Sequence, residues 1–130
     1  LNFLNYDANL SHVAIPATTT PNAALFPFWD DLMVDSKASV WTATIGTAPN
    51  RTFVVEWRNL RPFGYADSTT IRMSFEVLLS ESGEITFNYQ GLDTNTARAL
   101  GSSATIGIET PTGSAGISYS YNEAALRSMR

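Results

Sequence analysis

From Ile71 to Leu79 every odd position is apolar, while Arg72, Ser74 and Glu76 occupy even ones. A period of two sends alternate side chains to opposite faces, so this stretch reads as a strand with one face on a core. Ser80-Glu81-Ser82-Gly83 follows and supplies turn residues, with a glycine free to adopt positive φ. Ile85-Thr86-Phe87-Asn88-Tyr89 then alternates again. Residues 71–89 are therefore expected to form a β-hairpin. A second hairpin is expected over 39–58. Its first arm, Ser39 to Ile45, is rich in β-branched and aromatic residues. Gly46 to Asn50 makes the turn, and the return arm places Phe53, Val55 and Trp57 on one face.

Further strands are expected at 104–109 and 115–121, joined by Thr110-Pro111-Thr112-Gly113. Residues 1–6 read as a strand and 23–29 as an extended apolar segment. Residues 16–22, rich in proline and threonine, and 60–68, with Pro62, Gly64 and Asp67, read as loops. Short helical turns fit near 93–100 and 122–127. About seven short strands with regular turn signals predict an all-β, two-layer, mainly antiparallel β-sandwich. Phe53, Val55, Trp57, Met73, Phe75, Val77, Leu79, Ile85, Phe87, Ile106 and Ile108 are its expected inward set.

Composition narrows the classes. The chain has 130 residues, which suits a single domain. It is 44% hydrophobic and only 15% charged, which argues against disorder of the whole. The net charge is -4 and Lys37 is the only lysine. The arginines form no basic stripe, so neither nucleic acid nor an anionic membrane surface is an expected partner. No stretch approaches the ~18 apolar residues of a membrane span, so membrane insertion is not expected. The absence of cysteine removes disulfides, thiolate metal sites and cysteine nucleophiles together. The opening Leu1-Asn2-Phe3-Leu4 looks like the middle of a strand, and the chain is expected to be part of a longer secreted polypeptide.

The run Ala24-Leu25-Phe26-Pro27-Phe28-Trp29-Asp30-Asp31-Leu32 resembles nidogen-like (NIDO-type) domains and related bacterial secreted β-domains. Val40-Trp41, Thr52 to Trp57, the 74–89 hairpin, Ala104 to Glu109 and Gly116 to Tyr119 fit the same pattern. The resemblance covers about residues 2–121. It implies an extracellular or cell-surface setting and an accessory, adhesive or interaction role, with no active site to carry over.

Several constellations bear on chemistry. Asp30, Asp31 and Asp35 form the densest acidic cluster, and clustered carboxylates are what Ca²⁺ requires. The spacing is not that of an EF-hand, and the competing reading is a solvated, capped turn beside a core Trp29. Glu56 and Glu76 invite comparison with a glycosidase pair, which needs carboxylates ~5–9 Å apart across a cleft. Arg58 and Arg72, interleaved with them, favour cross-strand ion pairing on a sheet face. His12 is the only histidine and reads as a surface or loop residue; there is no Gly-x-Ser-x-Gly elbow to serve it. Trp41 and Tyr65 are the candidate ligand-binding aromatics. Trp41 shares a face with Ala43 and Ile45, and Tyr65 sits in a Pro/Gly loop. Asn9-Leu10-Ser11 and Asn50-Arg51-Thr52 are glycosylation sequons, meaningful only in a eukaryotic secretory setting.

The sum is a non-catalytic interaction module whose expected partner is an extracellular glycan or protein. The alternatives are a structural subunit that self-associates through sheet edges and, less well supported, a hydrolase fragment.

Overall fold

The computed structural model describes residues 1–4, 9–64 and 70–128. It is an all-β sandwich of two antiparallel sheets. The strands are β1 (Ala24–Trp29), β2 (Leu32–Met33), β3 (Ser39–Ile45), β4 (Thr52–Pro62), β5 (Met73–Ser80), β6 (Ile85–Gln90), β7 (Thr105–Glu109) and β8 (Gly116–Tyr121). The small sheet runs β1-β7-β8. The large sheet runs β4-β5-β6, with β3 and β2 both paired to β4, one to Thr52–Arg58 and the other to Arg61–Pro62. Residues 1–3 begin a further extended edge on the small sheet: Asn2 bridges Ala24, and the Leu25 amide donates to the Leu1 carbonyl at 2.8 Å.

Both expected hairpins are present. Their register sets three rows across β4, β5 and β6 on the inward face: Phe53–Leu79–Ile85, Val55–Val77–Phe87 and Trp57–Phe75–Tyr89. The rows are not equally covered. Met73, Phe75, Val77 and Val55 are buried, and Phe75 stacks between Phe28 and Trp57, with ring centroids at 5.7 and 5.3 Å. Phe53 and Ile85, by contrast, are each 41% exposed. They point inward as their period requires, but the small sheet does not extend far enough to cover that end. The expected inward direction holds for both, but at that end of the sheet an inward side chain is not a buried one.

A bulge in β4 explains a second misreading. Between Trp57 and Leu60 the register slips, with Asn59 at φ 61°. The Asn59 amide donates to Ser74 Oγ at 2.9 Å, and its side-chain amide donates to the Lys37 carbonyl at 2.9 Å. The extra residue reverses the parity, so Leu60 and Pro62 face inward and are fully buried. What looked like the start of the 60–68 loop is thus the core end of β4. The expected turn near 93–100 shrinks to one 3₁₀ turn, Arg98–Leu100, ended by Gly101 at φ 98°. Residues 122–127 form no helix, but Leu126 is buried in the main core.

The outward face of the small sheet is also covered along β1 and β7. Thr105, Gly107 and Glu109 of β7 point away from the main core and meet residues 13–17 in step. Thr105 Oγ1 donates to the Val13 carbonyl at 2.6 Å, a Cβ on Gly107 would press on Ile15 Cδ1, and the Ala17 amide donates to Glu109 Oε1. Trp29 Nε1 anchors the same strap further back, donating to the Asn9 carbonyl at 2.9 Å. Ile15, Ala24 and Phe26 form a second small apolar cluster beneath it. This explains why β1 is buried along nearly its whole length.

Candidate functional site

Among the described residues nothing covers the outward face of the large sheet in this way. Its central row runs Trp41–Glu56–Glu76–Asn88 across β3, β4, β5 and β6. On one side of that row lies the more apolar row Ala43–Val54–Leu78–Thr86. On the other, Arg58, Ser74, Gln90 and Gly91 join Glu56, Glu76 and Asn88 around a shallow depression of about 310 Å³.

Alternation builds this face directly. Each of its residues is the outward neighbour of a core residue, so the order that buries Val55, Trp57, Phe75 and Val77 also aligns the polar ones. Trp41 is 58% exposed. Its Nε1 donates to Ser39 Oγ at 2.8 Å, which holds the indole along β3. Trp41 therefore belongs to the solvent face and not to the core.

The polar groups are mutually restrained. Arg58 grips Glu56 in a bidentate pair, Nε to Oε1 at 2.9 Å and Nη2 to Oε2 at 2.7 Å. The bond raises the Arg58 pKa further. Asn88 Nδ2 donates to Glu76 Oε1 at 2.9 Å. Among the described residues, Glu76 Oε2 and the Gln90 amide keep hydrogen-bonding capacity. The face thus combines a broad aromatic ring, carboxylate and amide acceptors, and amide donors.

The ion pairing expected among Glu56, Arg58, Arg72 and Glu76 is only half realised. Glu56 pairs with Arg58 along its own strand, whereas Arg72 lies before β5 and turns to Asp35. Glu56 and Glu76 are direct cross-strand neighbours on the sheet face, and both line the shallow depression.

The three aspartates proposed for Ca²⁺ are not gathered at one point. Asp30 Oδ2 accepts from Ser103 Oγ at 2.7 Å and lies 3.4 Å from Arg98 Nη2. Asp35 is held by Arg72 and Arg61, which depress its pKa well below the usual carboxylate range, the Arg72 hydrogen bond contributing most. Asp31 follows Asp30, and its carbonyl accepts from the Phe63 amide at 3.0 Å. Among the described residues no group of three His, Cys, Asp or Glu side chains is arranged to hold a metal ion. Arginines already accompany two of the carboxylates, Arg98 beside Asp30 and Arg61 and Arg72 beside Asp35.

Tyr65 lies outside the described residues. His12 meets Asn122 Oδ1 at 2.8 Å and sets its ring edge-on to Tyr121. Asn50 is exposed in the β3–β4 turn and Asn9 is exposed at the start of the strap. Sequence reasoning named Trp41 but missed Asn88 and Gln90; the signal was available, since both are outward positions of β6 opposite Glu76 and Ser74.

Two packed sheets with one broad solvent-facing surface define an all-β module. The NIDO-related family model matches residues 1–130, and the chain belongs to that nidogen-related family. The family is a non-enzymatic module type and typically extracellular. No curated protein and no solved structure matches the chain. No helix among the described residues is long and apolar enough to cross a membrane.

Proposed function

We propose that this chain is a non-catalytic extracellular binding module that recognises carbohydrate on the outward face of its large sheet. The observation that carries the reading is the exposed Trp41 indole aligned with the Glu56, Glu76 and Asn88 side chains. Aromatic rings pack against the C–H faces of sugars, while carboxylates and amides satisfy the hydroxyls. Solvent-facing sites of this kind sit on rigid strands, so little order is lost on binding. Family membership supports the extracellular, non-enzymatic part of the reading.

The test is a glycan array probed with the labelled chain and with Trp41→Ala. A bound oligosaccharide should shift the Trp41 indole and the Asn88 and Gln90 side-chain amide resonances. The Trp41→Ala chain should keep its melting temperature and lose binding at least tenfold. Binding that maps to another face, or an array with no hits, refutes the proposal.

A further inference from the structure

On the side of the sandwich away from β3 the two sheets end out of step. β6 closes the large sheet and β8 closes the small one, and neither has a second strand partner among the described residues. Two side chains of β8 that face the cleft are left uncovered, with Ile117 71% and Tyr119 63% exposed. Between them and Phe87 and Tyr89 of β6 lies an apolar cleft of about 390 Å³, lined also by Ile108 and Arg127.

We propose that this cleft takes an extended strand from a partner polypeptide, an alternating apolar segment carrying a carboxylate near one end. The strand pairs with the free edge of β6 and lays its apolar side chains on Ile117 and Tyr119.

Three features select this occupant. The first is the edges themselves. An unpaired edge presents a row of N–H and C=O groups, and proteins ordinarily blunt such rows with charge or proline. Residues 85–90 and 116–121 contain neither. Both edges facing the cleft are thus left competent for pairing, as strand addition requires.

The second is area. Ile85, Ile117, Tyr119 and Tyr121 are the large apolar residues exposed along the two edges. The two of them that line the cleft, Ile117 and Tyr119, offer on the order of 300 Å², against about 800 Å² per partner in a standard protein interface. That suits a single strand better than a second folded domain or another copy of this one.

The third is charge. Arg127 lines an otherwise apolar cleft. Its Nη1 donates to the carbonyls of Leu126 at 2.8 Å and Ala124 at 3.4 Å, and it forms no ion pair among the described residues. Tyr89 brings no free donor, because its hydroxyl is spent on the Pro27 carbonyl at 2.6 Å. The complementary group is an anion, and on a polypeptide that is a carboxylate. The site uses inward faces and sheet edges, so it is independent of the glycan-binding face.

The probe is an acetylated, dye-labelled peptide, Thr-Val-Thr-Val-Thr-Val-Asp-amide, compared with the same peptide ending in Lys. Fluorescence anisotropy reads binding, and amide hydrogen exchange reads where it occurs. The Asp peptide should bind and slow exchange across residues 85–90. Ile117→Lys should weaken it at least tenfold without lowering the melting temperature, since Ile117 is exposed. Arg127→Gln should abolish the preference for Asp over Lys. Three results overturn the proposal: no peptide binding, binding without protection of residues 85–90, or a cleft that takes decanoate or a second copy of the chain instead of the peptide.

Discussion

Arg72 grips Asp35 through two nitrogens, Nη1 to Oδ1 at 3.0 Å and Nη2 to Oδ2 at 2.9 Å. The same Nη1 also donates to the Asn59 carbonyl at 3.1 Å, in the β4 bulge. One guanidinium thus ties the β2–β3 connection to the irregular point of the longest strand. Because Asp35 titrates lower in the folded chain than in the unfolded one, its contribution is fully present above the unfolded value, about pH 4. It fades as pH falls further toward the folded value. The stability gap between the native chain and Asp35→Asn should therefore be constant from pH 7 to about pH 5 and shrink below pH 4. Urea titrations at several pH values check this, and a gap that widens in acid contradicts it.

Phe75 and Phe53 lie on the same face of the large sheet but should differ sharply on truncation. Phe75 is buried against Phe28 and Trp57, so Phe75→Ala should cost about 3–5 kcal/mol. Phe53, beyond the reach of the small sheet, should cost under about 1.5 kcal/mol. Equal losses in chemical denaturation would mean that both ends of the sheet are covered.

Gly107 sits where β7 is crowded on both sides. A Cβ there would overlap the Ile117 carbonyl oxygen and come 2.7 Å from Ile15 Cδ1. Gly107→Ala must push β8 or the strap aside and should destabilise by about 2–4 kcal/mol. Retained melting temperature in this variant would show that the strap and β8 give way freely.

Thr105→Val keeps the side-chain volume and removes one hydroxyl. The Val13 carbonyl then loses its partner, at a cost of about 1–2 kcal/mol. Hydrogen exchange should quicken at Ala17, whose amide is held by Glu109 on the same strand. Unchanged exchange at Ala17 would show that the two pins act separately.

The alternation of residues 71–79 was readable because β5 is central, with one face on the core and one in water. The outlying rows were not, since period alone carries no information about where the opposing sheet ends. That is why Phe53 and Ile85 point inward as the period requires and are still exposed. The bulge at Asn59 escaped for a related reason: one extra residue leaves composition unchanged but reverses which side chains face inward. Of the candidate site, Trp41 and Glu56 were visible as residues. Their alignment with Glu76 and Asn88 depends on register, which single segments do not specify. The Asp35 ion pairs were hidden because Arg72 lies 37 positions away along the chain.

The strap over β7 has a consequence for how the module meets its surroundings. A β-sandwich ordinarily turns two broad, roughly equivalent surfaces to solvent. Here the pins at Thr105, Gly107 and Glu109 turn the part of one of them over β1 and β7 into an interior. The molecule becomes one-sided, with a back that its own chain closes over β1 and β7 and a front that is open, among the described residues, at β3 to β6. In any larger assembly such a unit is directional: neighbours can pack on its back without competing for whatever its front recognises.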